Sequence, residues 1–213
     1  MKKLKVSVVI ITRNEEKRIG RCLDSLLWAD EVILVDGFST DKTSDIARDY
    51  GARVIQHKFT GTFADDRNVG LENSRNDWVL QLDADDVVTE GFVKKLEEEL
   101  PKSAGIAVYK FRRKNFFLGH PMDHGGFHHY IPNLVNKRHV RFEGDVHEVP
   151  VYKGKDGLIE ADIEHYPFDS LGQFVDRQNR YCDIAAKDLF KKSGVLPESA
   201  IKKEMIGRSF KVF

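Results

Sequence analysis

The chain opens on a β-branched run, Lys5 to Ile11, and then changes period: Ile19, Leu23, Leu26 and Leu27 recur at helical spacing among charges. The first pattern predicts a buried strand and the second an amphipathic helix. Thr12 and Glu15 have the spacing of a capping box for that helix. The alternation then repeats. Glu31 to Val35 predicts a second strand that stops at Asp36, and the loop Gly37-Phe-Ser-Thr-Asp41 starts a helix reaching about Tyr50, with Gly51 as its stop. Arg53 to His57 predicts a third strand, and Phe63 to Ser74 a helix containing Asp66, Arg67 and Asn68. Trp78, Val79, Leu80 and Leu82 read as a strand buried on both faces, so Asp83, Ala84, Asp85 and Asp86 fall at its carboxyl end. A helix from Thr89 to Leu100 follows, with Phe92, Val93, Leu96 and Leu100 as its apolar stripe and Pro101 closing it. Strands alternating with helices imply βαβ crossovers and a mostly parallel sheet, which puts Asp36 and Asp83 on one edge.

After Pro101 the pattern changes. Ile106 to Phe111, Tyr130 to Val135, Val140 to Phe142, Val149 to Tyr152 and Leu158 to His165 read as short strands, parted by turn signals at Gly125-Gly126 and Lys155-Asp-Gly157. No helix lies among them, so a mixed or antiparallel extension of the sheet is expected. An amphipathic helix is predicted from Ser170 to Ser193, with Ser170 and Gln173 as its capping box and Gly194 as its stop. A last helix, Glu198 to Phe213, sets Ile201, Met205, Phe210 and Phe213 among Lys202, Lys203, Arg208 and Lys211. The expected organisation is therefore a ligand-binding half over 1–101, a mixed sheet of the same domain over 102–169, and C-terminal helices over 170–213 that end as though interrupted.

With 213 residues the chain can bury a sizeable core. Its 34 basic and 34 acidic residues balance, so nothing global points to nucleic acid. Cys22 and Cys182 form no disulfide framework, which suits a reducing compartment. The apolar run after Met1-Lys-Lys-Leu-Lys5 is too short for a signal peptide, and no segment approaches the ~18 apolar residues of a membrane span. A soluble or peripheral protein is expected.

The densest chemistry lies at Asp83 to Asp86. Three carboxylates this close repel by about 4 kcal/mol per pair at 4 Å and an effective dielectric near 20, unless something cationic lies between them. A hard divalent ion such as Mg²⁺ or Mn²⁺ fits, because it takes one or two carboxylates and keeps other positions for water and phosphate. A solvated turn capping the helix at Thr89 is the other reading of the same residues. Asp-x-Asp after a buried strand also suits a Mg²⁺-dependent phosphohydrolase with Asp83 as nucleophile, although such enzymes usually place the pair on the first strand.

Taken together, Val8-Val-Ile-Ile-Thr-Arg-Asn-Glu15, Val32-Ile-Leu-Val-Asp-Gly-Phe-Ser-Thr-Asp41, Asp66-Arg-Asn68, Leu82-Asp-Ala-Asp-Asp86 and Gly144-Asp-Val-His-Glu148 resemble the motifs of family 2 glycosyltransferases of the GT-A fold, in the family's order. The nearest resemblance is to the subgroup that includes lipopolysaccharide core glucosyltransferases. It implies a GT-A, Rossmann-like α/β sheet flanked by helices. It also implies a metal-dependent inverting transferase that passes a hexose, glucose or a near relative, from a UDP-sugar to a lipid-linked or cell-envelope glycan. Matched by position, Thr12, Asn14, Glu15 and Asp36 would line the nucleoside pocket, with Asp36 accepting from base or ribose. Arg67 and Asn68 would sit beside the base or diphosphate. Asp83, with Ala84 beside it, would hold the ribose or support the metal, and Asp85 would coordinate Mg²⁺ or Mn²⁺. Glu148 would be the general base, and His147 a third metal ligand or an acceptor contact. Arg13 departs from the family, which often carries an aromatic residue there; its guanidinium plane can stack on the base instead. A non-catalytic nucleotide-sugar sensor on the same fold is a further alternative.

The remaining features read more plainly. His120, His124, His128 and His129 lack the Cys or close second cluster that would complete a zinc site, so an acceptor-side loop is expected there. Lys110 to Lys114 reads as a solvated edge strand. The basic final helix is the better candidate for contact with an anionic membrane, at the cytoplasmic face. Nothing in the sequence gives the oligomeric state.

Overall fold

The computed structural model describes residues 3–124, 128–144 and 148–193. The chain divides into two compact units, Met1–Lys114 with His129–His165, and Asn115–His128 with Tyr166–Phe213.

The first unit carries the predicted sheet. Strands β1 (Leu4–Thr12), β2 (Ala29–Asp36), β3 (Arg53–Gln56) and β4 (Trp78–Asp83) lie parallel in the order β3-β2-β1-β4. The register sets Thr12 beside Asp36 and Ile11 beside Asp83, so the shared edge expected of the crossovers is real. Strand β8 (His128–Asn136) pairs antiparallel with β4, and beyond it come β6 (Ile106–Phe117), β11 (Lys155–His165) and β5 (Asp86–Val88). A parallel core with a mixed extension is what the GT-A resemblance implied. Strand β9 (Val140–Glu143) forms a separate antiparallel pair with β10 (Val149–Tyr152).

Side-chain alternation divides the core. Val6, Val8 and Ile10 of β1 pack with Ile19 and Leu23 of α1 (Ile19–Asp24) and with Phe92 and Leu96 of α4 (Glu90–Glu99), all essentially buried. Val9 looks the other way, clustering with Ala64 and Leu71 of α3 (Phe63–Asn73) and with Phe142. Each such side chain contributes about 1.5–3 kcal/mol by leaving water. Helix α3 lies so close to β1 that a Cβ at Gly70 would fall 2.2 Å from a Val9 methyl carbon, which only glycine avoids. Helix α2 (Thr43–Asp49) ends as predicted at Gly51, whose φ is +79°.

Four local expectations are corrected. The Thr12–Glu15 capping box does not form: Thr12 continues β1 in register with Asp36, the Glu15 N–H donates to Thr43 Oγ1 at 2.8 Å, and α1 begins only at Ile19 without a side-chain cap. Leu27 is 68 % exposed because α1 has already ended at Asp24, while Cys22 takes a place in the core. Lys155-Asp-Gly157 is the start of β11 rather than a turn. Lys110 to Lys114 is no edge strand, because β6 runs between β8 and β11.

In the second unit, Phe116 and Phe117 at the end of β6 pair with β7 (His120–Pro121). Phe116 stacks on Tyr166 at 4.6 Å, and Phe117, Phe168 and Phe174 meet edge to face. Helix α5 (Leu171–Ser193) starts as predicted: Ser170 Oγ accepts the Gln173 N–H at 3.2 Å, and Gln173 Oε1 accepts the Asp169 N–H at 3.0 Å. Among the described residues no helix is long and apolar enough to cross a membrane. The predicted helix over 198–213 lies outside the described residues.

Candidate active site

The end of β2 is closed by short-range bonds. Asp36, fully buried, accepts from the Ser39 N–H and hydroxyl, from Ser44 Oγ at 2.8 Å and from Gln56 Nε2 at 2.7 Å. The loop after β1 is bound to this one. Asn14, with φ of +56°, donates its N–H to Ser39 Oγ at 2.8 Å and accepts the Thr40 N–H at 2.8 Å. Arg13 is exposed beside Gly37, and Thr12 Oγ1 is buried with no hydrogen-bond partner among the described residues. Thr12, Arg13, Asn14, Glu15 and Asp36 thus come together at the carboxyl end of β1 and β2. Both Asp36 oxygens accept from protein donors, on the loop after β2, on α2 and on β3.

The end of β4 is built from charge. Asp86, fully buried, accepts the Asp83 N–H at 2.9 Å and so closes the acidic turn, with Ala84 buried inside it. Arg113 reaches in from β6: its Nη2 donates to Asp83 Oδ2 at 2.8 Å and to Asp86 Oδ2 at 2.6 Å. Arg67 comes from α3, donating from Nη2 to Asp83 Oδ1 at 3.2 Å and from Nε to Glu148 Oε1 at 2.8 Å. His165, at the end of β11, places Nε2 3.3 Å from Asp85 Oδ1.

These contacts set the protonation of the cluster. Burial alone would raise the Asp83 carboxyl, but Arg113 and Arg67 outweigh it and hold it well below the usual carboxylate range. Burial is likewise outweighed at Asp85, which His165 holds low. At Asp86 burial prevails over Arg113, pushing it up to about 6. The Cys22 thiol, behind the turn, is pushed up by burial and by Asp86, Asp85 and Asp83. Burial favours the neutral form of Arg113, yet Asp86, Asp83 and Asp85 keep it firmly protonated.

The cation that the three carboxylates require is thus in part the protein's own. The sequence predicts neither neighbour: Arg113 lies in a stretch whose charges suggest a solvated strand, and His165 is predicted only as a strand end. The signal was their parity. Tyr109, Phe111 and Arg113 alternate onto one face of β6, and Ile159, Ile163 and His165 onto one face of β11. His147, the expected third ligand, lies outside the described residues. Asn68 is buried with both ends of its amide on backbone: Nδ2 donates to the Phe142 carbonyl and Oδ1 accepts the Phe142 N–H, both at 2.9 Å.

Asp83, Asp85 and His165 offer ligand atoms that all lie within 4.8 Å of one another, and the burial of each is intermediate. Carboxylate oxygen with imidazole nitrogen suits Mn²⁺ or a similar borderline-hard ion. Asp85 and His165 fit best as ligands, since both Asp83 oxygens already face arginine. Arg67 Nη1 is buried and unpartnered among the described residues, leaving a donor for an anionic ligand. A surface cavity of about 540 Å³ lies away from these residues, and one of about 310 Å³ is lined by Asn68 but not by Asp83, Asp85 or Glu148.

The profile described as "Glycosyl transferase family 2" matches residues 7–156. An uncharacterized glycosyltransferase of Rickettsia felis is 30% identical over 98% of this chain and 78% of its own length. The lipopolysaccharide core biosynthesis glycosyltransferase LpsC of Rhizobium meliloti is 29% identical over 86% of this chain and 71% of its own. The crystal structure of glucosyl-3-phosphoglycerate synthase from Mycobacterium tuberculosis with Mn²⁺, UDP and glucosyl-3-phosphoglycerate superposes with a TM-score of 0.44 at 29% identity, covering 51% of this chain and 44% of that one.

Proposed function

Given that the chain belongs to glycosyl transferase family 2 and is a glycosyltransferase, we propose that it transfers a hexose, glucose or a near relative, with inversion, from a UDP-sugar to a lipid-linked or cell-envelope glycan of the lipopolysaccharide core type. The observation that carries this reading is Arg67. From one guanidinium it joins Asp83 at the end of β4 to Glu148, 81 positions away in sequence. Motifs scattered along the chain thereby meet at one place.

In this reading Glu148 accepts the proton of the acceptor hydroxyl as that oxygen attacks the anomeric carbon. Arg67 aims the carboxylate by its 2.8 Å bond and keeps Nη1 free for the donor's phosphate or ribose. Asp85 and His165, with Asp83 beside them, would hold Mg²⁺ or Mn²⁺. When bound, such an ion supplies positive charge to the departing diphosphate as a Lewis acid. Thr12, Asn14 and Glu15 frame the nucleoside, with Asp36 fixing the wall behind it. The likeness to LpsC supports a lipopolysaccharide-core acceptor, and in this reading that acceptor is met at the cytoplasmic face of the membrane. A phosphohydrolase with Asp83 as nucleophile fits poorly, because arginine engages both of that carboxylate's oxygens.

The test is Glu148→Gln assayed with UDP-glucose. The variant should bind the nucleotide as wild type does and lose turnover by ~10²-fold or more. Wild type that binds UDP-sugar yet releases no UDP in the presence of acceptor would point to the non-catalytic sensor.

A further inference from the structure

The turn after β2 is pinned on both sides of Phe38. The Gly37 N–H donates to the Thr12 carbonyl at 2.9 Å, the Ser39 N–H donates to the Asp36 carboxylate at 3.1 Å, and Ser39 Oγ accepts the Asn14 N–H at 2.8 Å. Between these bonds Phe38 takes φ of +59°, the left-handed conformation that glycine adopts freely and in which a Cβ crowds the following carbonyl. Asn14 sits at +56° on the facing loop, but asparagine tolerates that region and a bulky ring does not. Packing does not offset the strain. Phe38 is 54% exposed, belongs to neither core cluster, and among the described residues its ring stacks on no aromatic or cationic group. Fold stability alone would favour glycine here.

The strained ring stands at the carboxyl end of β1 and β2, where Thr12, Asn14 and Asp36 meet. Arg13 is exposed on the same rim, its Cβ and Cδ only 3.4 and 3.6 Å from where a Cβ on Gly37 would lie, and Thr12 Oγ1 is buried without a hydrogen-bond partner among the described residues. A flat apolar face, with a guanidinium and an unpartnered hydroxyl close by, suits a ligand that is planar and aromatic with polar edges. A nucleobase has that chemistry. We propose that Phe38 is a stacking plate for the base of the nucleoside diphosphate donor, a binding residue held in a conformation its own backbone disfavours so that the ring meets ligand rather than core. The inference rests on reading this pocket as the nucleoside site. It separates what the fold wants at position 38 from what binding wants, and the two can be measured independently.

The experiment is calorimetric titration of the whole chain with UDP in the presence of MnCl₂, beside a thermal melt without nucleotide. Phe38→Gly should melt no lower than wild type, because glycine takes this φ without strain. It should nevertheless bind UDP about fivefold or more weakly, the effect of one lost stack between base and aromatic ring. Phe38→Tyr keeps the aromatic face and should bind within about twofold of wild type. Phe38→Trp places a reporter on the rim, and its emission should fall on adding UDP by more than that of wild type, whose Trp28 and Trp78 are buried. Folded Phe38→Gly with wild-type affinity for UDP would overturn the proposal, as would Phe38→Tyr as weak as the glycine variant or Phe38→Trp emission that UDP leaves unchanged. Phe38→Gly that melts well below wild type or fails to fold would mark the ring as structural and overturn it too. Wild type that binds no UDP would overturn the nucleoside reading and this inference with it, an outcome distinct from wild-type binding that survives Phe38→Gly.

Discussion

Asp36 and Asp83 end the two strands that flank β1, on the same edge of the sheet, and they are held in opposite ways. Asp36 is held by neutral donors three, eight and 20 residues away: Ser39, Ser44 and Gln56. Asp83 is held by arginines 16 residues before it and 30 after it, one of which also carries Glu148. Neutral bonds to a buried carboxylate can be lost one at a time, each at modest cost. Partners in a buried charge cluster are different, because removing one leaves the rest uncompensated. The first end therefore behaves as scaffold, and the second is stable only as a complete set.

That contrast can be broken most sharply at Arg67. Arg67→Met should cost about 3 kcal/mol in chemical denaturation, the low end for a broken buried pair, because Asp83 keeps 32% of its side chain exposed and water shares its charge. It should also raise the pH of acid unfolding. Asp83 is held low, so its contribution is present above the ordinary carboxylate pKa and is lost as pH falls through the folded value. Removing Arg67 moves that folded value up, and the loss begins sooner; an unchanged acid midpoint would show that Arg113 alone sets it. At the other end, Asp36→Asn should cost about 1–3 kcal/mol, since its amide nitrogen turns a donor toward existing donors. Ser44→Ala removes one bond from a neutral donor to the carboxylate and should cost about 1.5 kcal/mol. A loss at Ser44 as large as that at Arg67, measured by the same denaturation, would erase the distinction between the two ends.

The same difference in range decides what the sequence makes legible. The strand and helix alternation up to Leu100 is written in periods of a few residues, and so are the edge shared by Asp36 and Asp83 and the Ser170 cap. Whether β6 is an edge or an interior strand depends on pairings with β8 and β11, which no local pattern carries. The charges from Lys110 to Lys114 therefore suggested solvent, although Arg113 shares the inward parity of Tyr109 and Phe111. His165 was overlooked for the same reason: its value comes from meeting Asp85 across the turn, 80 positions earlier. The Thr12–Glu15 cap failed because a longer-range demand won. Register with β2 kept Thr12 extended, and Thr43 took the Glu15 amide that the cap would have used.

Asn68 offers the Phe142 peptide one acceptor and one donor, the same two bonds that a neighbouring strand would give. A helix thereby impersonates a sheet edge for a single residue, and β9 is tethered to α3 two positions before Gly144, where φ reaches +113°. Phe142 is thus anchored one residue along α3 from Arg67. Any shift of that helix along the sheet would carry the end of β9 and the Arg67 guanidinium together.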